Sequence, residues 1–363
     1  MKVKYTIIFL IIAILVGCVK KETLLIESKL LINKIPMDDD IVVPLSYYKV
    51  KSADTQTYLL MNDNIEKYDE VYLHACIDIV PSKAIKRISQ KLNFEKSFQE
   101  LKESLIKYSS QKDYEAFFVE AKDGLSWKIY ILDEGKLNEM TINHNKEMNI
   151  QDVQIDENVI YIYSEKIYKI NLIDYSTEVI LDVKEKLGLD GTGNKVFIKD
   201  NICVLSINSS SSKSKGNKGL LIKYDLDRET LLTVDEKDRI NQIFPYKNGF
   251  VATCSQNDTW DPIVKYYDSE FNLTMEKKLN IDSQFGHVTF PYYGNLVYIF
   301  NDKIYTCMEV DGSHIEEIVI IDIESSEILY QLEISYKDRQ GFILSGPSFY
   351  KLNNGKLINL KKF

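Results

Sequence analysis

The stretch with the most promise for surface chemistry is Gln256-Asn257-Asp258-Thr259-Trp260-Asp261-Pro262, where one of only two Trp residues stands between carboxylates. An indole ring offers a large contact area at little entropic cost, and a neighbouring carboxylate accepts hydrogen bonds or meets a cation. Asp258, Trp260 and Asp261 are therefore candidate ligand-binding residues. His287, in Phe285-Gly286-His287-Val288, falls in a connection about one repeat further on and is the fourth candidate. The competing reading folds Trp260 inward as core.

Local catalytic and metal-binding signatures are missing. The four His residues (His74, His144, His287 and His314) are scattered, with no His-Glu-x-x-His and no pair at ligand spacing. There is no Gly-x-Ser-x-Gly nucleophile turn and no EF-hand spacing. Cys76, Cys203, Cys254 and Cys307 form no Cys-x-x-Cys. Each lies in or at the end of an apolar run and reads as a buried free thiol, although a Cys254–Cys307 bridge is compatible with the sequence. The expectation is no catalytic residue, no metal and no cofactor. A net charge of −9 with no basic stripe argues against nucleic acid as a partner.

The elements that must hold these residues are short strands. Asn158–Val183 contains three of them: Val159–Tyr163, Ile167–Ile170 and Val179–Leu181. The turn-then-strand opening recurs at Asn201, Asn248 and Asn295, at intervals of 43, 47 and 47 residues. A fainter copy follows Asn354-Gly355, and two more are suggested at Asp123-Gly124 and Asp69-Glu70. The second half of the unit, a strand, a tight turn and a strand, aligns Tyr224–Leu232 with Ile321–Leu329, and more loosely Tyr267–Glu270 and Leu132–Lys136. Asp, Ser and Gly suit such turns because they bond their own backbone or accept positive φ. Each unit is too small to bury its apolar face alone. Repeats near 45 residues with several short strands resemble β-propeller blades, and imply an all-β, β-propeller-like fold of six to eight blades. A β-sandwich also has closely spaced strands, but the regular spacing argues against it. Cys203, Cys254 and Cys307, 51 and 53 residues apart, are expected at related places in successive blades.

Two segments depart from this pattern. Ile85, Ile88 and Leu92, then Phe94, Phe98, Leu101, Leu105 and Tyr108, recur at helical spacing, so residues 83–112 are read as a helical insertion. Asn208–Gly219, rich in Ser and Lys, reads as a solvated loop between two strands of one blade.

The chain begins with Lys2 and Lys4, an apolar run over Thr6–Val16, and Leu15-Val16-Gly17-Cys18. That ending resembles the lipobox of bacterial lipoproteins, and the resemblance implies diacylglyceryl attachment at Cys18 with residues 1–17 removed as a signal peptide. The apolar run is shorter than the ~20 residues a span needs. Residues 18–40 then form the lipidated tether and 41–363 the β-propeller-like domain. Leu24–Ile26 and Leu30–Ile32 make part of that tether apolar enough to dock as a strand and complete the last blade. The address implied is the extracytoplasmic face of the cell membrane. Two functions fit it: a non-catalytic scaffold binding an envelope protein, peptide or glycan, or an extracytoplasmic hydrolase or lyase acting on carbohydrate.

Overall fold

The computed structural model describes residues 26–359 apart from 35–36, 38–40, 50–54, 62–63, 69–71, 76–77, 92–104, 112–113, 122–123, 145–149, 151, 157, 188–192, 210–217, 282–287, 291–296, 311–314, 337–341, 346–348 and 354–355. The lipobox residues Leu15, Val16, Gly17 and Cys18 lie outside the described residues, as do His287 and Cys76.

The chain opens with β1 (Ile26–Asn33) and then builds antiparallel sheets in succession. Sheet 1 starts with β2 (Ile41–Lys49), β3 (Thr55–Met61) and β4 (Asn64–Tyr68). Sheet 2 is the pair β5 (Tyr72–Ala75) and β6 (Asp78–Pro81), followed by helix α1 (Ser82–Lys91). Sheet 3 holds β7 (Leu105–Gln111), β8 (Tyr114–Glu120), β9 (Ser126–Asp133) and β10 (Lys136–Asn143). Sheet 4 holds β11 (Asp152–Asp156), β12 (Val159–Tyr163), β13 (Lys166–Asn171) and β14 (Thr177–Asp182), with the short helix α2 (Val183–Leu187) after it. Sheet 5 holds β15 (Gly193–Lys199), β16 (Ile202–Ser209), β17 (Lys218–Asp225) and β18 (Thr230–Glu236). Sheet 6 holds β19 (Arg239–Tyr246), β20 (Gly249–Ser255), β21 (Pro262–Tyr267) and β22 (Leu273–Lys278). In sheet 7, β23 (Val288–Thr289) and β24 (Val297–Phe300) both pair with β25 (Lys303–Val310), which leads to β26 (Ile315–Asp322) and β27 (Ile328–Tyr336). The chain ends in β28 (Phe342–Ser345), β29 (Tyr350–Asn353) and β30 (Lys356–Asn359), and β28 and β29 both pair with β2.

This is an all-β, propeller-like ring. The leading strands β7, β11, β15, β19 and β24 touch one another in that order, and β5 links sheet 1 to sheet 3. Apolar faces are buried between neighbouring sheets. Phe118, Trp127 and Ile129 of sheet 3 pack on Ile160, Ile162 and Ile170 of sheet 4, and equivalent layers separate sheets 4, 5, 6 and 7. The ring closes where Val43, Leu45 and Leu60 of sheet 1 meet Cys307, Ile318 and Leu332 of sheet 7. Among the described residues there are seven sheets, within the expected range, and no helix is long and apolar enough to cross a membrane.

Closure differs in detail from the expectation. The N-terminal strand β1 adds to the outer edge of sheet 7, Ile26 opposite Tyr336. The final unit, β28–β30, is instead completed by β2, so β2 is not left as an edge. The repeat register also needs one correction. Asn158, Asn201 and Asn248 each precede the second strand of a sheet, whereas Asn295 precedes β24, and the matching turn of sheet 7 is Asn301-Asp302. Asp200, Asn201, Asn301 and Asp302 all have positive φ, the backbone a two-residue hairpin demands.

Of the helical insertion expected over 83–112, Ser82–Lys91 form helix α1, while Leu92, Phe94, Phe98 and Leu101 lie outside the described residues. Helix α1 buries Ile88, but Leu105 and Tyr108 lie on strand β7, with Tyr108 opposite Phe117. A spacing of three cannot separate one turn of helix from a bulged strand, and β7 has a bulge between Leu105 and Lys107. Cys203, Cys254 and Cys307 sit fully buried on the second strands of sheets 5, 6 and 7, and Cys254 is a free thiol, so the Cys254–Cys307 bridge is not formed.

The turn joining the third and fourth strands repeats one device. Asp174, Asp225, Asp268 and Asp322 each accept backbone N–H groups from residues two to four positions on. Asp322 takes the N–H and Oγ–H of Ser325, both at 2.7 Å, and these donors, the backbone one foremost, hold its carboxyl below the ordinary 3.8. A lowered carboxyl stabilises the fold above its unfolded pKa and loses that contribution as pH falls through the folded value. Asp322→Ala is expected to cost about 1 kcal/mol at neutral pH. It should also flatten the fall of Tm between pH 5 and pH 3, measured by thermal melts across that range.

Candidate functional site

The Trp260 loop is the connection between β20 and β21, at the end of sheet 6 where the crossover from sheet 5 enters. Two backbone bonds close it, Gln256 N–H to Asp261 O (3.0 Å) and Trp260 N–H to Gln256 O (2.8 Å). This closure puts Trp260 at φ 63, a left-handed conformation uncommon for a bulky residue. The ring stays outside the core, 42 % exposed, which overturns the reading of Trp260 as a core residue. The guanidinium of Arg239, at the start of β19, lies 5.1 Å from the ring centroid, a cation–π distance.

Asp261 pairs with Lys278 at the end of β22 and can accept from Thr259 Oγ1 (2.6 Å). Asp258 is exposed on the same turn, and Asn257 donates its side-chain N–H to the carbonyl of Lys237 on the crossover. Asp258, Trp260 and Asp261 thus share one short loop, held to both neighbouring strands by charge and hydrogen bonds. Arg239 and Lys278 join them, and neither was singled out from sequence. Arg239 carried a faint signal, being one of four Arg in the chain.

Beneath this loop lies a second feature that sequence reading missed. Lys265 on β21 is 1 % exposed and is surrounded by carboxylates. It bonds Glu236, lies 2.9 Å from Asp238, and is 3.5 Å from Glu276, which also pairs with Lys237 at 3.0 Å. Tyr267 donates its hydroxyl to Glu236 as well. Glu236 ends β18 of sheet 5 and Asp238 lies on the crossover that follows it, so the cluster ties two sheets together. Burial pulls the Lys265 ammonium down, but its bonds to Glu236 and Asp238 outweigh that and hold it above its ordinary value. Burial first, then Glu236, pushes the Tyr267 phenol up. In the sequence Lys265 shares the phase of Ile263 and Tyr267, but nothing local marks the carboxylates that make its burial possible.

Among the described residues no three His, Cys, Asp or Glu side chains group to hold a metal ion. No protein-family model and no curated protein matches the chain. Solved structures do. Oligogalacturonate lyase in complex with manganese is similar over 90 % of this chain and 86 % of its own, at 11 % identity and a TM-score of 0.47. The extracellular domain of a one component system from B. thetaiotaomicron is similar over 83 % of this chain and 34 % of its own, at 6 % identity and a TM-score of 0.42. These are similarities of chain course, and the propeller-like assignment stands on the sheet order and ring closure described above.

Proposed function

We propose that this protein is a lipid-anchored, extracytoplasmic propeller that binds a protein, peptide or glycan of the cell envelope, without catalysis, through the Trp260 end of sheet 6. One observation carries the reading. Trp260 is held outside the core on a closed, hydrogen-bonded loop, with Arg239 against its ring and the carboxylates of Asp258 and Asp261 beside it. A large ring already fixed in place loses little entropy on binding, and polar neighbours supply direction. The anchor is supported by Leu15-Val16-Gly17-Cys18 in the sequence. Two acyl chains there would hold the domain firmly, where one gives only marginal binding.

The test is crosslinking in intact cells, comparing the full chain with Cys18→Ala and Trp260→Asn variants. Asn tolerates left-handed backbone, so that variant removes the ring without adding strain. Trp260→Asn is expected to weaken capture of the envelope partner at least tenfold with Tm changed by no more than a few degrees. Cys18→Ala is expected to abolish acyl incorporation. Turnover of wall or glycan fragments by the purified protein would replace this reading with the hydrolase or lyase alternative.

A further inference from the structure

At the other end of sheet 6, away from Trp260, the hairpin turns of sheets 5 and 6 enclose an open groove of about 300 Å³. Its floor is aromatic. Phe197 of β15 lies 6.3 Å from Phe250 of β20, and Phe250 lies 4.8 Å from Phe271, centroid to centroid. Its rim carries Lys199, Lys223 and Lys247, a local concentration of cations in a chain of net charge −9.

We propose that this groove binds a small aromatic carboxylate, with its ring on the phenylalanine floor and its anionic end among the three ammonium groups. An ammonium has three donors. Lys223 spends one on the carbonyl of Ser269, at 2.5 Å, and rests 5.8 Å from the Phe271 centroid. Lys247 spends one on Glu324 and one on the Tyr246 hydroxyl, and Lys199 has no ion pair among the described residues. Donors therefore remain on all three.

The lining holds two carboxylates, Asp200 and Asp268. Asp268 accepts the Asn272 side chain and the N–H groups of Asn272 and Glu270 at 2.9–3.0 Å, which occupies three of its roughly four acceptor sites. Its charge also reaches Lys223, so Lys199 is the ammonium least engaged within the groove. The volume is at the small end of ligand sites and suits one or two fused rings. The rim is built from tight turns, with Asp200, Lys247 and Phe271 all at positive φ, so its shape is set without a ligand.

The probe is 1-naphthoate, titrated calorimetrically into the full chain in detergent at low salt, alongside Lys199→Glu and Lys223→Met in the same detergent. Lys199 is exposed, so its reversal leaves the fold intact, which a melting curve verifies. The expected result is saturable one-to-one binding, weakened at least fivefold by Lys199→Glu and weakened again by 0.5 M salt, as screening requires. No saturable binding, or a change below fivefold in both lysine variants, overturns the proposal.

Discussion

Lys265→Met is expected to lower the unfolding free energy by about 3–5 kcal/mol, because it leaves buried carboxylates without their counter-ion. The side chains of Glu236 and Asp238 are only 7 % and 5 % exposed, so water cannot replace the lost ammonium. Urea titration should show the midpoint falling with little change in slope, since the surface exposed on unfolding is the same. In the native protein Lys265 is held above its ordinary 10.5, so its contribution is complete below that pH and is lost only as pH rises beyond it. Neutralising the partners separates stranded charge from simple loss of packing. Adding Glu236→Gln and Asp238→Asn to Lys265→Met should recover part of the loss at neutral pH, because no uncompensated buried charge then remains. No recovery in the triple variant would show that packing, not stranded charge, dominates.

Gly249→Ala is expected to be nearly as damaging, for a steric reason. A Cβ at Gly249 would stand 1.9 Å from the Tyr267 carbonyl oxygen and 2.9 Å from the Asp268 Cα. Both are backbone atoms of the neighbouring strand, so no rotamer change relieves the contact. Either β20 or β21 must shift, disturbing the pairing of Phe250 with Tyr267 and the groove wall at Phe271. Overpacking of this kind costs about 1–3 kcal/mol or more. Gly135→Ala is the control. It has φ +85 but nothing within 4 Å of the added Cβ, so it reports conformational strain alone, about 1 kcal/mol. Thermal melts of the two variants should rank Gly249→Ala as clearly the worse. It should also weaken naphthoate binding, which Gly135→Ala should leave unchanged.

Much of the architecture was legible in short windows of sequence. Val159–Tyr163, Lys166–Asn171 and Thr177–Asp182 follow from alternation and turn residues, because both signals act within a few positions. The alignment of Tyr224–Leu232 with Ile321–Leu329 corresponds to the same third-to-fourth-strand turn in sheets 5 and 7, each held by an aspartate that bonds backbone nearby. Cys203, Cys254 and Cys307 fell on equivalent strands for the same reason. The candidate loop was found because Trp260 is rare and flanked by acids, though its exposure was not decided by that.

What only the tertiary structure decided involves partners far apart in the chain. Strand β2 completes a sheet with β28 and β29, some 300 residues later, and no local pattern encodes that choice. Residues 105–111 carry apolar spacing that either helix or strand can use, and pairing with Tyr114–Glu120 selects the strand. Lys265 looks like any strand lysine until Glu236, Asp238 and Glu276 converge on it from three elements. Alternation and turn chemistry are short-range and can be read residue by residue. Sheet closure, the burial of a charge and the placing of Arg239 on Trp260 depend on which surfaces meet when the ring folds.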